Sequence, residues 1–264
     1  MHYNNIHPTA IIHPGAVIGQ GTSIGPYSII GSSVVIGKNN NIASHVVIEG
    51  KTSIGDENRI YQFASIGSAP QDQKWKGQET ELHIGSRNQI REYVTIQPAT
   101  EPSGATKVGN GNLFMACSHV AHDVIIGNNC WIANSAAIAG HAVIADNVIL
   151  GGLSGVHQFV SIGSLAFIAA GSMVAQDIPP FCMAQGDRAK LCGINQVGMQ
   201  RNGYSSEEIR QAKTLFRKLF FKEGSMQTKL SIVENEYCDS LLAQNLCTFI
   251  RNASRGVASM DQAA

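Results

Sequence analysis

Residues 12–42 read IHPGAVIGQGTSIGPYSIIGSSVVIGKNNNI, and an isoleucine stands at every sixth position of this stretch. The same spacing runs from Ile6 to Ile66 without exception, and up to residue 174 only three multiples of six lack an apolar side chain: Asp72, Gln78 and Pro102. Helices favour apolar spacings of 3 and 4 and strands a spacing of 2, so a period of six fits neither alone. The period indicates a short strand followed by a tight turn, repeated along the chain.

A second, smaller residue recurs four places after each member of the isoleucine frame, for example at Ala16, Thr22 and Ser28. One bulky and one small residue would therefore point inward in each repeat. Three repeats form a triangular coil of 18 residues, and stacked coils bury an aliphatic column while parallel ladders join their backbones. An isoleucine-rich β-sandwich would not hold one phase for so long. The predicted fold is mainly β, a parallel β-helix of hexapeptide repeats.

The repeats occupy residues 1–180 and are interrupted twice. Residues 67–83 and 97–107 are rich in glycine, proline and polar residues, and the frame resumes in phase after each of them. Both segments are therefore predicted to be loops thrown out from the coil. Loops on a rigid scaffold often carry functional residues.

The period changes after Pro179-Pro180. Ser205-Ser206-Glu207-Glu208 has the form of a helix capping box, and Gly224 provides a stop signal. Apolar residues follow the box at helical spacing, and a second such pattern comes later: Ile209, Ala212, Leu215, Phe216, Leu219 and Phe220, then Leu241, Leu242, Leu246, Phe249 and Ile250. Residues 181–264 are therefore predicted to form a small α-helical domain.

Composition excludes several classes of function. Lys plus Arg equals Asp plus Glu at 19 each, which removes the general phosphate attraction on which nucleic-acid binders rely. No stretch approaches the ~20 apolar residues of a membrane span, and Met1–Asn5 lack the features of a signal peptide. We expect a cytoplasmic protein without membrane insertion. The six cysteines are scattered without a CxxC pair, so we expect reduced thiols and no metal site.

The 18-residue coil predicts which side chains are neighbours. Residues 18 apart lie on adjacent coils about 4.8 Å apart, so His122, Gly140 and Gln158 form one column and Asp123 and His141 the next. A general base and an unobstructed backbone N–H at one corner suit acyl transfer, where a base removes a proton and a donor stabilises an oxyanion. Asp123 is placed to hold the tautomer of His122.

Nine histidines are present, and we divide them into two groups. Five are expected to be surface residues at solvated turns: His2, His7, His13, His45 and His83. Four cluster between the second loop and the end of the repeats and are expected to be functional: His119, His122, His141 and His157.

A family resemblance rests on six segments: Asp56–Gly67, Pro70–Lys74, His119–Asp123, Ala139–His141, Val156–Phe159 and Ala175–Pro180. Together they closely resemble the UDP-N-acetylglucosamine O-acyltransferase family, whose members begin lipid A biosynthesis and belong to the hexapeptide-repeat acyltransferase superfamily. The resemblance runs essentially from end to end. It implies that the β-helix is left-handed.

The resemblance also implies a reaction. A (3R)-3-hydroxyacyl group passes from acyl carrier protein to the 3-hydroxyl of UDP-N-acetylglucosamine, with His122 as general base and the N–H of Gly140 as oxyanion donor. Further substrate contacts are implied for Asp72, Lys74, His119, His141, His157 and Gln158, with nucleotide contacts at Asn195 and Arg201. Members of the family are homotrimers with sites between subunits, and they use no cofactor.

The acyl chain length is expected to depend on the last coils. In the family a glycine near the end of the acyl groove leaves room for a longer chain. That position falls on Ala170, and Gly171 is the alternative one residue away. An added methyl group predicts a preference for a somewhat shorter chain.

The sequence departs from the family pattern at three places. Gln97-Pro98-Ala99 replaces a His-Arg-Gly-like segment after the second Thr-Ile, Val197 replaces an acidic nucleotide contact, and Asn202 replaces a second arginine. With the changes at Val197 and Asn202, nucleotide affinity is expected to rest more heavily on Asn195 and Arg201. None of the three departures touches the chemistry at His122. A basic face on the first C-terminal helix, with Arg210, Lys213 and Arg217, is a candidate docking site for the acidic carrier protein.

Three other functions fit a hexapeptide-repeat protein. The later N-acyltransferase of the same pathway carries a uridine-binding domain before its repeats, whereas the repeat here already begins at Ile6. A γ-type carbonic anhydrase would bind metal through histidines of adjacent subunits. A scaffold without catalysis would make the His122 column a coincidence.

Overall fold

The computed structural model describes residues 5–260, so the expectation for His2 falls outside it. The chain first forms a column of short parallel strands and then a group of helices. The strands are Asn5–Ile6 (β1), Ile11–Ile12 (β2), Val17–Ile18 (β3), Ser23–Ile24 (β4), Ile29–Ile30 (β5), Val35–Ile36 (β6), Asn41–Ile42 (β7), Val47–Ile48 (β8), Lys51–Ile54 (β9), Arg59–Ile60 (β10), Ser65–Ile66 (β11), Glu81–Ile84 (β12), Gln89–Ile90 (β13), Thr95–Ile96 (β14), Ala105–Val108 (β15), Leu113–Phe114 (β16), His119–Val120 (β17), Ile125–Ile126 (β18), Trp131–Ile132 (β19), Ala137–Ile138 (β20), Val143–Ile144 (β21), Ile149–Leu150 (β22), Gly155–Val156 (β23), Ser161–Ile162 (β24), Phe167–Ile168 (β25), Met173–Val174 (β26), Cys182–Gln185 (β27) and Lys190–Ile194 (β28). The helices are Gln196–Arg201 (α1), Ser206–Phe220 (α2), Met226–Glu236 (α3) and Leu241–Arg251 (α4).

Successive strands of the column enter three different sheets, and every third strand returns to the same sheet. The three sheets begin with β1-β4-β7, β2-β5-β8 and β3-β6-β9 and contain 11, 9 and 8 strands. The paired residues are 18 apart in the first coils, as Asn5 and Ser23 are. We call the turn between the first and second sheets corner A, between the second and third corner B, and between the third and first corner C.

The two loops change the register without changing the phase. Across the first loop the paired residues are 30 apart, as in Arg59↔Gln89, and across the second they are 24 apart, as in Gln89↔Leu113. Both separations are multiples of six, so the isoleucine frame continues through each interruption. Strand β12 begins at Glu81 and β15 at Ala105. The loops therefore end at residues 80 and 104, slightly earlier than the predicted 83 and 107.

The core is the predicted aliphatic column. Apart from the three exceptions in the loops, frame residues from Ile24 onward are almost completely buried, among them Ile30, Ile90 and Ile132 at 0 % exposure. Their neighbours in the same strands point outward, because successive side chains of a strand face opposite sides. Burial of each such side chain contributes about 1.5–3 kcal/mol to folding.

The small-residue position at corner C holds a ladder of buried amides. The Asn40 Oδ1 accepts hydrogen bonds from the backbone N–H and Nδ2 of Asn58, and the Asn58 Oδ1 accepts the same pair from Asn88. The Nδ2 of Asn88 also donates to the Gly109 carbonyl at 3.0 Å. The ladder continues to Asn112, whose Oδ1 accepts from the N–H of Cys130. Each buried polar group of the ladder thus has partners on the adjacent coils, which avoids the cost of an unpaired amide.

Corner A carries an exposed column of rings at a turn position where φ is positive. Tyr27, His45, Phe63 and Tyr93 follow one another on adjacent coils with ring centroids 5.0–5.2 Å apart. The exposure of His45 agrees with its expected surface position, as does that of His7 and His13. His83 is half-buried, because its ring contacts Ser53 and Glu81.

The segment after residue 180 is not wholly helical. Strand β27 pairs in parallel with β25 and extends the first sheet, and β28 returns antiparallel to it. The predicted helices are present as α2, with its capping box at Ser205 and Glu208, and as α4. Helices α1 and α3 were not predicted. No helix within residues 5–260 is long and apolar enough to cross a bilayer.

We expect Ile126→Asn to lower the free energy of unfolding by about 3 kcal/mol or more, because it leaves a cavity and an unpaired amide in the core. Ile126 is 2 % exposed, whereas its neighbour Ile125 in β18 is 45 % exposed. Ile125→Asn is therefore the matched control. Urea unfolding of both variants measures the difference, and equal losses would contradict the assignment of inward-facing residues.

Candidate active site

The turn that joins β17 to β18 at corner B carries the catalytic candidates. His122 is 6 % exposed, and its Nδ1 lies 2.8 Å from Oδ2 of Asp123. An ionised carboxylate only accepts hydrogen bonds, so Nδ1 carries the proton, and in the neutral ring Nε2 then has the lone pair. The pair therefore presents a base at Nε2.

The Asp123 carboxylate is held in its ionised form. Its Oδ2 accepts from the hydroxyl of Thr100 at 2.7 Å and from the backbone N–H of Thr100 at 3.1 Å. Burial would raise the pKa of Asp123, but the Thr100 and His122 hydrogen bonds outweigh it and leave the pKa below its ordinary value. Thr100 belongs to the second loop, so this loop fixes the charge beside His122.

Gly140 lies directly below the His122 ring on the next coil. A Cβ built on Gly140 would lie 2.5 Å from Cε1 and 2.7 Å from Nε2 of that ring. Any larger residue would displace the imidazole, so glycine is required here for close packing. Within the described chain the N–H of Gly140 donates to no protein acceptor. It is therefore free to bind a substrate oxygen.

His141 packs against aromatic rings on either side of it at corner B. Its ring meets His122 edge-on at 5.3 Å and stacks on Phe159 at 4.6 Å. Its Nε2 lies 3.7 Å from Oδ2 of Asp123. His141 therefore lies beside the Asp123 carboxylate as well as the His122 ring.

The first loop folds over His122. Its Asp72 carboxylate lies 3.8 Å from Nε2 of His122, and Lys74 follows with its N–H bonded to Oδ1 of Asp72. The buried side chain of Gln97 accepts a hydrogen bond from the N–H of Gln71 at 3.2 Å. Gln97, one of the departures from the family pattern, thus ties the first loop to the second.

An open cleft of about 820 Å³ runs along corner B beside these groups. Five of the predicted residues line it: His119, His122, Gly140, His157 and Gln158. Burial lowers the pKa of His119, and the nearby charge of His122 lowers it further. Other lining residues were not predicted as site residues, among them Gln71, Met173, Gln176, Arg188 and Arg255.

Four predicted residues lie away from this cleft. Ala170 and Gly171 are exposed at corner A, in the turn between β25 and β26. Asn195 is buried near corner C, where its Nδ2 donates to the Leu165 carbonyl and its Oδ1 accepts from the N–H of Gly198. Arg201 is exposed at the end of α1. These residues do not meet His122 within one chain.

One cluster has the composition of a metal site. His122, Asp123 and His141 each offer one ligand atom, and these atoms lie within 4.8 Å of one another. The Asp123 Oδ2, however, already accepts three hydrogen bonds. The arrangement therefore fits hydrogen bonding between His122 and Asp123 better than metal binding.

Two family profiles match the chain. The profile described as "Udp N-acetylglucosamine O-acyltransferase; Domain 2" covers residues 177–258, and that described as "Bacterial transferase hexapeptide (six repeats)" covers residues 15–50. A relative from Myxococcus xanthus, named acyl-[acyl-carrier-protein]–UDP-N-acetylglucosamine O-acyltransferase, is 48 % identical over 96 % of this chain and 98 % of its own. A protein of the same name from Aliarcobacter butzleri is 46 % identical with the same coverage.

The chain belongs to the UDP-N-acetylglucosamine O-acyltransferase family. Solved structures agree: the family member from Moraxella catarrhalis has a TM-score of 0.93 and 41 % identity and covers 96 % of this chain and 99 % of its own. The Acinetobacter baumannii member has a TM-score of 0.92 at 41 % identity, covering 96 % of this chain and 99 % of its own. The predicted hexapeptide-repeat fold with C-terminal helices is confirmed.

As a member of this family the protein is an acyltransferase. The prediction of an enzyme with acyl transfer as its reaction class is therefore confirmed. The arrangement at corner B has the parts that such a reaction needs: a base at Nε2 of His122, a carboxylate that orients it, and a free N–H at Gly140.

We expect Thr100→Val to raise the pKa of Asp123, because the variant removes the hydroxyl that donates to Oδ2. Thr95→Val is the control, since the Thr95 hydroxyl contacts Nδ1 of His119 instead. The carboxyl ¹³C chemical shift of Asp123, followed against pH, reports the change. An unaltered titration in Thr100→Val would show that the Thr100 hydroxyl does not contribute to this pKa and that the remaining hydrogen bonds set it.

Because the folded pKa of Asp123 is depressed, its carboxylate adds stability above the unfolded pKa of about 3.9 and loses it as the pH falls through the folded value. The Thr100→Val variant should therefore lose less stability than the parent protein on acidification through this window.

Proposed function

We propose that this acyltransferase moves a (3R)-3-hydroxyacyl group from acyl carrier protein to the 3-hydroxyl of UDP-N-acetylglucosamine, as the first step of lipid A biosynthesis. The relatives' names give the two substrates. The observation that supports the residue roles is the Asp123–His122 pair, whose ring packs against Gly140 on the cleft wall.

His122 acts as the general base. Its Nε2 removes the proton of the sugar hydroxyl while the hydroxyl oxygen attacks the thioester carbonyl carbon. The tetrahedral intermediate then collapses, the carbon–sulfur bond breaks, and the imidazolium returns the proton to the leaving thiolate. The products are a sugar ester and the free thiol of the carrier.

The other groups at corner B stabilise this sequence. Asp123 holds the Nδ1 proton and balances the charge that His122 gains. The N–H of Gly140 donates to the oxyanion of the intermediate. Asp72 and His119 flank the base, and Lys74, His141, His157 and Gln158 complete the assigned substrate contacts.

A homotrimer would bring the remaining assigned residues to the site. Those at corner B contact the reacting atoms, whereas Ala170 and Gly171 lie at corner A and Asn195 and Arg201 near corner C. The three corners of one β-helix point away from one another. A single site that contains all of these residues therefore needs corners from neighbouring subunits. The exposed ring column at corner A is a surface that such contacts would cover.

Docking of the acidic carrier protein is proposed for the exposed face of α2. Two of its basic residues already have acidic partners: Arg210 pairs with Glu207, and Lys218 pairs with Glu236. Lys213, Arg217 and the nearby Lys222 have no ion-pair partner in the described chain. These three are therefore the cations to which a carrier would bind.

The proposed reaction is tested by incubation with UDP-N-acetylglucosamine and a set of 3-hydroxyacyl carrier proteins, followed by mass analysis. The expected product carries one acyl group on the sugar 3-oxygen. A metal-dependent alternative through His122, Asp123 and His141 would instead lose activity to a chelator. An absence of product with every carrier would contradict the proposed reaction.

We expect His122→Ala to lower kcat by roughly 10²–10⁴-fold, the usual contribution of a positioned general base. His13→Ala is the control, because His13 is exposed at corner B several coils away. Circular dichroism should show both variants folded, since His122 lies in a turn outside the aliphatic column. Near-normal turnover by folded His122→Ala would rule out the assigned role.

We expect Ala170→Gly to shift the preferred acyl chain to a longer one, because removing a methyl group at the end of a groove favours one more methylene by about 1–3 kcal/mol. Gly171 has φ +69° and open space around its Cβ position. Gly171→Asn, which tolerates this conformation, tests the alternative register. Chain-length competition assays measure both variants.

If Gly171→Asn shortens the product chain while Ala170→Gly has no effect, Gly171 is the residue that limits the acyl chain length. If neither variant changes the distribution, the acyl groove ends elsewhere.

A further inference from the structure

The end of the cleft farthest from the first loop carries two arginines. Arg188 lies in the turn between β27 and β28, and Arg255 lies in the segment that follows α4. Both line the same cleft as His122. Neither belongs to the groups assigned to the proposed reaction.

One backbone hydrogen bond and one side-chain hydrogen bond hold the arginines against the last coil. The N–H of Ala189, next to Arg188, donates to the Met173 carbonyl at 2.7 Å. The Nε of Arg255 donates to the Ala175 carbonyl at 3.0 Å. Since Met173 and Ala175 are two residues apart, the two arginines approach the same end of the cleft.

A buried carboxylate anchors the segment that carries Arg255. Asp177 is 0 % exposed, and its Oδ2 accepts from the backbone N–H of Arg255 at 3.1 Å. The N–H of Asp177 donates to the Gly256 carbonyl, and the N–H of Ala258 donates back to Asp177. The position of Arg255 is thus fixed before any ligand binds, which reduces the entropy lost on binding.

Most of the guanidinium donors remain free. Within residues 5–260, the Arg188 guanidinium and the Nη groups of Arg255 form no hydrogen bond or ion pair with the protein. The acidic residue among the cleft-lining groups is Asp187, whose Oδ1 accepts from the backbone N–H of Arg188. The cleft end therefore carries an excess of positive charge with unused donors.

The arginines lie at a definite distance from the base. The corner column runs from His122 through Gly140 and Gln158 to Gln176, which is three coil steps of about 4.8 Å, or about 14 Å. A phosphopantetheine arm is an extended chain with two amide units, and such a chain spans about 15 Å from its sulfur to its phosphorus at the spacing of an extended backbone. A diphosphate attached to the sugar would lie much nearer to the reacting hydroxyl.

We infer that Arg188 and Arg255 bind a phosphate group, that of the phosphopantetheine arm which delivers the acyl thioester to His122. Planar guanidinium groups match the oxygens of a phosphate in two-pronged hydrogen bonds. The inference rests on the proposed function, because it takes the thioester as the acyl donor. It adds a subsite that recognises the arm itself rather than the carrier protein.

The test compares two acyl donors that differ only in the phosphate. The 3-hydroxyacyl thioesters of 4′-phosphopantetheine and of pantetheine are each assayed with saturating UDP-N-acetylglucosamine. For Arg188→Ala we expect kcat/KM to fall roughly 10–100-fold with the phosphorylated donor, with no change for the unphosphorylated one. Arg188→Lys should recover part of the loss. Lys190→Ala, an exposed neighbour on β28, is the matched control and should leave both donors unaffected.

The nucleotide sugar is varied in a second series. A higher KM for UDP-N-acetylglucosamine in Arg188→Ala, with unchanged use of the phosphorylated donor, would overturn the assignment to the arm and give the phosphate to the nucleotide. Equal losses with both donors would overturn phosphate binding altogether.

Calorimetric titration with 4′-phosphopantetheine alone separates this inference from the proposed reaction. Parent protein that turns over no acyl donor but binds the free arm, with binding weakened in Arg188→Ala, would contradict the reaction and support the subsite. Turnover by the parent protein, together with equal binding of the free arm by the parent and by Arg188→Ala, would support the reaction and contradict the subsite.

Discussion

The fold depends on one constraint: each inward-facing residue must stack on the equivalent residue of the coil before it. Parallel ladder bonds fix this register, and the loops preserve it because they lengthen a coil only by multiples of six. Columns follow from the register, including the aliphatic column, the amide ladder through Asn58 and Asn88, and the ring column at corner A. The same rule places Gly140 under His122, so the close packing of glycine against the base is a product of the repeat.

The active corner uses a conformation that recurs at most turns of the repeat. Asp123 and His141 occupy turn positions with φ near +60°, which cost non-glycine residues roughly 1–2 kcal/mol each. The ladders on either side hold these turns in place. The functional side chains therefore project from a backbone that does not adjust, and the two loops supply the variable partners, Asp72 from the first and Thr100 from the second.

The sequence alone predicted those features that follow from periodicity. The column His122–Gly140–Gln158 and the inward frame residues depend only on counting by 18 and by six. Helix α1 has six residues, too few to show a helical period, and α3 buries only Leu230 and Val233, so its apolar pattern is weak. The β27–β28 hairpin is specified by its pairing with β25, a contact between distant residues. The place of Arg188 in the cleft and the hydrogen bond from Gln71 to Gln97 were not predicted for a related reason, because both depend on where loops return to the coil.

The two ends of the β-helix differ in how much of each is covered by other parts of the chain. At the beginning of the described chain Ile6 is 36 % exposed, and full burial of the frame is reached only at Ile24, at 1 %. At the other end the hairpin and helices lie over the last coils, and Val257 and Met260 return to bridge Asp177 and Leu191. Since each coil touches only its neighbours, opening propagates like the fraying of a one-dimensional stack. Amide hydrogen exchange should therefore progress from the first coils inward. The coils that hold His122 should remain protected while the first coils open and close.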